Sequence, residues 1–310
     1  MCDNDYTRSI EPRDFLQFWQ VAKENVDVLG GSFSLQESGF KHPTHQCLEL
    51  IYKGIDDATI YAKYLKHHSS TIKPSPTIFV FHGYGEASPP WFRLLSWASA
   101  GYSVIAMDVR GQLGRSLTGN GISGTNVHGQ LMAGIGLDTD QLHFTKVYQD
   151  VYQLISIVSK MEEVDSDNLF TYGASQGGAL SIVASVLSKK IKKTVAIHPF
   201  LSNFPLAISM GLVDSPYFEI NKYFKFKDPS FISRDAVLEQ LSYIDVQHFA
   251  KYLDNSFLGA LTMKDNICPP ETQLSTFNNI NCQREILTYP EHSHEDIKCF
   301  EDIAFSFFMN

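Results

Sequence analysis

The sequence has little positive charge. Its 310 residues contain 25 Lys and Arg against 34 Asp and Glu, which gives a formal net charge of −9 at pH 7. Proteins that bind nucleic acid need a basic surface that neutralises phosphates. Because the charge balance runs the other way, we expect neither DNA nor RNA as a partner.

Long apolar runs and paired cysteines are also missing. No stretch reaches the roughly 18 consecutive apolar residues that a membrane helix needs, and residues 1–10 carry acidic side chains without a signal-peptide apolar core. The five cysteines are odd in number, irregularly spaced and without a C-x-x-C pair, which favours free thiols over disulfides or a zinc site. We therefore expect a cytoplasmic protein with no membrane contact and no metal.

What the sequence does have is the composition of a globular protein, with 44% apolar and 19% charged residues. We expect one domain over residues 1–310, in which a helix and strands from residues 1–75 pack on a core formed by residues 76–310. Aromatic residues in the second half are predicted to cover a pocket or a subunit contact: Phe200, Phe204, Tyr217, Tyr223 and Phe224.

Apolar strands alternate with one-sided apolar helices along most of the chain, which predicts a parallel sheet covered on both faces. The predicted strands are residues 47–53, 59–65, 77–82, 102–108, 168–173, 194–197, 257–263 and 285–289. The predicted helices are residues 13–25, 91–100, 147–161 and 177–188, and residues 67–76 and 113–136 are predicted to be loops. The first two strands flank a short turn, so we expect them to pair antiparallel.

A G-x-S-x-G motif occurs at residues 173–177, GASQG. In α/β-hydrolases this motif forms the nucleophile elbow, a strained strand-to-helix turn in which small residues leave the serine accessible. The apolar segment LFTYG before Ser175 predicts a strand, and GALSIVASVLS after it predicts a helix. Ser175 is therefore the candidate nucleophile; the alternative is a glycine-rich turn with an idle serine.

A serine hydroxyl needs a base to become a nucleophile, and the base needs an acid to orient it. In α/β-hydrolases the chain order is serine, acid, histidine. His294 follows the last predicted strand, where such sheets place their ligands, but His292 lies two residues earlier and spacing does not separate the two.

Asp265 follows the preceding strand and is the candidate acid, although Asp-Asn is also ordinary turn chemistry. Its nearest rivals are Asp245 and Asp254, neither of which follows a strand so directly.

The oxyanion that forms during acyl transfer needs two backbone N–H donors. One normally belongs to the residue after the nucleophile, here Gln176, and the other to a loop after an early strand. Residues 81–85, FHGYG, occupy that place and make Tyr84 the second candidate donor. These elements together predict an α/β-hydrolase fold: a mostly parallel twisted sheet with helices on both faces, an N-terminal helix and extra antiparallel strands.

The combination of RGQ at residues 110–112, GASQGG at residues 173–178 and HE at residues 294–295 resembles one family. It is similar to the acetyl xylan esterase and cephalosporin C deacetylase family, carbohydrate esterase family seven. Further segments agree in order over nearly the whole chain: residues 12–15, 81–85, 107–112, 199–201, 241–245 and 265–270.

The resemblance implies His294 rather than His292 as the base, because the family's histidine precedes a glutamate. It also implies Asp265 as the acid, because the family's acid comes just before a Cys-Pro-Pro segment, and Tyr84 and Gln176 as oxyanion donors. The implied activity is removal of acetyl groups from short xylo-oligosaccharides and cephalosporin C by an intracellular enzyme without metal or other cofactor. The implied assembly is a homo-oligomer, commonly a hexamer.

The sequence departs from the family pattern at Leu113, His292 and Ser293, which lie next to family motifs. These departures support an alternative, a broader small-acyl esterase; a hydrolase-fold protein that binds a ligand without catalysis is a third hypothesis. Arg110 and Gln112 either bind substrate or order the surrounding loops, and we favour the second role.

Overall fold

The computed structural model describes residues 7–68, 73–119 and 128–310, and the predicted loops 67–76 and 113–136 fall partly outside these ranges. Within the described residues the strands form a single nine-stranded sheet in the order β1-β2-β3-β5-β4-β6-β7-β8-β9. Their bounds are β1 Phe33–Glu37, β2 His45–Lys53, β3 Thr59–His67, β4 Ser75–Phe81, β5 Ser103–Met107, β6 Val164–Ala174, β7 Ile191–Ile197, β8 Ser256–Thr262 and β9 Arg284–Tyr289.

The described helices pack on both faces of this sheet. Their bounds are α1 Phe15–Asp27, α2 Trp91–Ser99, α3 His143–Val158, α4 Gln176–Ser188, α5 Phe204–Ser209, α6 Phe218–Phe226, α7 Arg234–Ser242, α8 Val246–Ala250, α9 Pro270–Phe277 and α10 Phe300–Met309. This confirms the predicted α/β architecture with helices on both sides. None of the described helices has the length and apolar character that a membrane crossing requires.

The sheet has an antiparallel arm and a parallel body. Strands β1, β2 and β3 pair antiparallel, and β3 joins β5 in the same sense. Strands β5, β4, β6, β7, β8 and β9 are parallel to one another. Because parallel strands end at the same edge, the segments after β4, β6, β7, β8 and β9 converge there, and this is where the candidate site lies.

Apolar side chains fill both faces of the sheet, in two clusters of buried residues. Helix α4 is buried along nearly its whole length, which explains its continuous run of small and apolar residues. Helix α1 docks through Phe15 and Trp19, whose rings both lie against Phe249. The N-terminal segment thus contributes a helix and sheet strands, as predicted.

The elements differ from the predictions mainly at their ends. Strands β6 and β7 begin earlier than predicted, at Val164 and Ile191, because their first residues include charged side chains that break the apolar run. Helix α3 begins at His143 rather than residue 147, since its first turn is buried through aromatic rather than aliphatic residues. Strand β1 was not predicted; all of its residues are exposed, so no burial pattern marks it.

The prediction for the aromatic group was wrong for four of its five members. Phe200, Phe204, Tyr217 and Phe224 are fully buried in the larger core cluster. They pack in the core and none of them lines the described cavity.

Candidate active site

Ser175 lies on a sharp turn between β6 and α4, with φ 56° and ψ −121°. This left-handed backbone is strained for a residue with a side chain and is typical of a nucleophile elbow. A Cβ on Gly173 would overlap the backbone of Gly177, and a Cβ on Gly177 would overlap the Phe81 carbonyl oxygen. The two glycines are therefore required because backbone passes where their side chains would be.

Asp265 follows β8 and is held by an array of donors. Its Oδ1 accepts hydrogen bonds from the backbone N–H groups of Ile267 at 2.9 Å and Cys268 at 2.8 Å, and its Oδ2 accepts one from the Thr262 hydroxyl at 3.1 Å. Burial acts to raise the pKa of the Asp265 carboxyl, but the hydrogen bond and charge of His294, with the Cys268 amide, outweigh it. The pKa is left below its usual value, so the group is a carboxylate at neutral pH.

His294 lies on the loop after β9, with its Nδ1 at 2.8 Å from Asp265 Oδ2. A carboxylate can only accept, so Nδ1 carries the proton and Nε2 keeps its lone pair. His294 and Ser175 line the same cavity, of about 1150 Å³. Within the described residues the Ser175 hydroxyl meets Cys268 Sγ at 3.9 Å and forms no hydrogen bond with His294. Catalytic contacts of this kind are often loose before substrate binds.

The rival residues lie elsewhere. The His292 ring packs against Tyr289 at 5.4 Å, outside the described cavity lining. Asp245 is the N-cap of α8, where it accepts from the Gln247 amide, and Asp254 pairs with Lys189 at 2.8 Å. The geometry thus brings together Asp265 and His294 and leaves their rivals out.

The two candidate oxyanion donors are Gln176, which directly follows Ser175, and Tyr84, which lines the same cavity as Ser175. The backbone N–H of Gln176 begins α4, and that of Tyr84 belongs to the turn after β4; within the described residues neither donates a hydrogen bond. The Tyr84 ring lines the cavity, and its hydroxyl donates to Glu219 Oε1 at 2.8 Å. Burial and the Glu219 carboxylate raise the pKa of this hydroxyl, which therefore stays a donor.

Three buried glutamine side chains tie the elbow to the loop after β4. The amides of Gln112 and Gln176 exchange two hydrogen bonds, of 2.7 and 3.2 Å. Gln112 Nε2 also donates to Gln130 at 2.9 Å, and Gln112 Oε1 accepts from the Gly85 amide at 3.0 Å. The network joins the residue after Ser175 to the loop after β4, and none of the three glutamines lines the cavity.

Arg110 has a comparable supporting position. It forms two hydrogen bonds of 2.6 Å with the Asp150 carboxylate, and both side chains are at most 2% exposed. Neither Arg110 nor Gln112 lines the described cavity, and these contacts favour the loop-ordering role, which stays a prediction. The departures at Leu113, His292 and Ser293 likewise lie outside the described lining.

Sequence reasoning missed two residues beside the candidate triad. Cys268 touches the Ser175 hydroxyl, and the His198 ring packs on the His294 ring with centroids 4.4 Å apart. Burial, with a smaller contribution from His294, lowers the pKa of His198 to about 3, so its ring is neutral at physiological pH. His198 directly follows β7, the same strand-end signal that identified Asp265, and that signal could have found it.

The fold and this site define an α/β-hydrolase. The family model for Acetyl xylan esterase (AXE1) matches residues 4–310. The chain therefore belongs to the acetyl xylan esterase family and is a carboxylic ester hydrolase.

Solved structures of two related proteins match 98% of the chain. Acetyl xylan esterase 1 from Thermoanaerobacterium sp. JW/SL YS485 is 34% identical with a TM-score of 0.92, covering 98% of this chain and 96% of that one. The acetyl xylan esterase from Paenibacillus sp. R4 is 28% identical with a TM-score of 0.89, covering 98% and 97%. The acetyl esterase Axe7A of Xylanibacter ruminicola is 29% identical over 157 residues, 51% of this chain but 34% of that longer protein.

Proposed function

We propose that the protein removes acetyl groups from O-acetylated xylo-oligosaccharides by a Ser175–His294–Asp265 triad. The observation that carries the proposal is that Ser175 and His294 line the same cavity. Ser175 lies on the nucleophile elbow, and Asp265 orients the His294 ring. Family membership favours acetyl as the acyl group, and the resemblance adds cephalosporin C as a second ester to test.

In the proposed mechanism His294 Nε2 takes the proton of the Ser175 hydroxyl while Oγ attacks the acetyl carbonyl. Asp265 holds the imidazole tautomer and stabilises the imidazolium. The N–H groups of Tyr84 and Gln176 bind the oxyanion: Gln176 directly follows the nucleophile, Tyr84 lines the same cavity, and neither N–H donates to another group of the described chain. His294 then protonates the departing sugar oxygen, and water attacks the acetyl-enzyme by the same route in reverse.

The test is hydrolysis of p-nitrophenyl acetate by Ser175→Ala, with Ser188→Ala on the same helix as the matched control. We expect the first variant to lose at least about 1000-fold in kcat, and the second to keep wild-type turnover. Near wild-type activity in Ser175→Ala would show that Ser175 is not the nucleophile. Equal or faster turnover of p-nitrophenyl octanoate by the wild type would contradict the preference for a small acyl group.

The cavity favours a second candidate, a small-acyl esterase with a broad choice of alcohol. The cavity volume of about 1150 Å³ is larger than an acetyl group needs and larger than the volume of most ligand pockets. A panel of acetylated xylobiose, cephalosporin C and acetylated amino sugars separates the candidates: a kcat/KM preference for the xylobiose ester supports the first, and similar values across the panel support the second. The implied homo-oligomer stays a prediction, to be checked by sedimentation.

A further inference from the structure

His198 has an unusual environment for a histidine. It follows β7 with φ 30°, it is 3% exposed, and its Nδ1 is buried with no hydrogen-bond partner in the described chain. A buried polar atom without a partner costs free energy. His198 thus combines a strained backbone with an unpartnered nitrogen, directly beside the candidate triad. Such features often mark functional residues, and the proposed hydrolysis gives His198 no role.

The ring lies within reach of the two triad members on the same side of the cavity. The His198 and His294 rings are 4.4 Å apart and inclined by 41°. One donor atom from each of His198, Asp265 and His294 can be chosen so that all three lie within 4.8 Å of one another. All three side chains come from segments after neighbouring parallel strands, β7, β8 and β9, so the fold itself brings them together.

Two imidazole nitrogens and one carboxylate oxygen form a ligand set that zinc prefers, with a fourth position left for water. The same donors bind other late divalent metals. Zinc bonded at about 2.1 Å draws its ligands to within about 3.5 Å of one another, so donor atoms that lie up to 4.8 Å apart must approach by at most about 1 Å. The His294 side chain is 21% exposed and sits on a loop, so it is the member with room to move.

We propose that His198, Asp265 and His294 form a binding site for Zn²⁺, and that occupation of this site reversibly inhibits the esterase. On binding, Zn²⁺ loses a bound water molecule and takes a ring nitrogen of His294 as a ligand in its place. If it binds Nε2, no base is left for Ser175; if it binds Nδ1, the hydrogen bond to Asp265 is broken and the tautomer is lost. Either mode stops the proton transfer, so the metal is an inhibitor and the reaction itself remains metal-free.

The binding half of this proposal is independent of the proposed mechanism, whereas the inhibitory half depends on the role given to His294. Binding is therefore measured first on the intact protein by calorimetric titration with Zn²⁺ and by the visible absorption of Co²⁺. We expect one metal ion per chain with four- or five-coordinate Co²⁺ absorption. His198→Phe, which keeps a ring against His294, should bind Zn²⁺ at least about tenfold more weakly, because loss of even an outer-shell partner has an effect of this size.

Inhibition is then measured with p-nitrophenyl acetate, each variant being compared with its own rate in EDTA. Zn²⁺ should inhibit the wild type reversibly, and the half-inhibitory concentration should rise at least about tenfold in His198→Phe. His292→Ala, on the same loop as His294 but outside the cluster, should be inhibited like the wild type. His198→Gln serves as the second variant if the phenylalanine disturbs folding.

Three results would overturn the proposal. The first is no saturable binding of Zn²⁺ or Co²⁺ at one ion per chain. The second is equal affinity in the wild type and both His198 variants. The third is loss of binding in His292→Ala, which would place the metal elsewhere. Binding at the cluster without inhibition would instead remove the role proposed for His294, so failure of the site and failure of the mechanism are distinguishable.

Discussion

The nucleophile side and the histidine side of the cavity are held in place by different forces. Ser175 is fixed by backbone: its turn is closed by glycines packed against the main chain, and buried amides brace the next residue. His294 is fixed by side chains, through one hydrogen bond to Asp265 and ring packing on His198.

This difference predicts two kinds of mutational effect. Changes on the nucleophile side must shift backbone, so activity and stability should fall together. Changes on the histidine side alter orientation and protonation, so activity should fall with the fold retained. The substitutions that follow test this separation, in order of decreasing effect on the reaction.

Asp265→Asn should have the largest effect. The Ile267 and Cys268 N–H groups hold an oxygen at the Oδ1 position, so the NH2 group of Asn replaces Oδ2 and faces His294 Nδ1. An NH2 group donates instead of accepting, so the ring adopts the wrong tautomer and kcat for p-nitrophenyl acetate should fall by about 10,000-fold. Circular dichroism should match the wild type, and exposed Asp254→Asn is the matched control. A loss below tenfold would show that Asp265 does not orient the base.

Gly177→Ala should come next. Its Cβ would overlap the Phe81 carbonyl oxygen, so the elbow must move, and a displacement of about 1 Å can reduce kcat by about 100-fold. The free energy of unfolding should fall by about 1–3 kcal/mol. Gly39→Ala, where a Cβ meets nothing within 4 Å, should leave both quantities unchanged. If Gly177→Ala lost activity but kept the wild-type free energy of unfolding, the claim that backbone packing fixes the nucleophile side would be contradicted.

Gln112→Leu should act more weakly on the reaction. It leaves Gln176 Oε1 without the 2.7 Å bond it accepts and the Gly85 N–H without its acceptor, and unpaired buried groups cost about 1–3 kcal/mol each. Urea denaturation should therefore show a clear loss of stability, with kcat reduced by less than in Gly177→Ala. Exposed Gln36→Leu is the control, and unchanged stability of Gln112→Leu would mean that the network is not a brace.

The pH dependence of stability should show the smallest effect. The folded-state pKa of Asp265 lies below its usual value, so the carboxylate contributes stability that is present above the unfolded pKa, about 3.9. That contribution is lost as the pH falls through the folded pKa. Between about pH 5 and the acid transition, the wild type should lose more stability than Asp265→Asn. Parallel curves would contradict the direction of the shift.

The parts of the site that could be predicted from sequence are those governed by backbone and chain order. The GASQG spacing identified the elbow because only glycine fits where Gly173 and Gly177 approach main chain, and apolar runs identified the strands that end at the site. His292 and His294 stayed undecided by spacing alone, because the loop after β9 has no regular periodicity that says which side chain faces Asp265.

Other features depend on contacts between segments far apart in the chain. Glu219 accepts a hydrogen bond from the Tyr84 hydroxyl, 135 positions away in the chain, and His198 meets His294 only because β7 and β9 flank β8 in the sheet. Helices α5 and α8 have six and five residues, too short to form by local propensity; packing stabilises them, so sequence periodicity does not mark them.

The central claim is that Ser175 is a nucleophile activated by His294 and Asp265. Labelling with a fluorophosphonate, followed by intact-mass and peptide analysis, tests it most directly. The account predicts one adduct per chain on the peptide carrying Ser175, none in Ser175→Ala and much slower labelling in His294→Ala and Asp265→Asn. An adduct on another residue, equally fast labelling in the His294 variant, or no adduct on the wild type would contradict it.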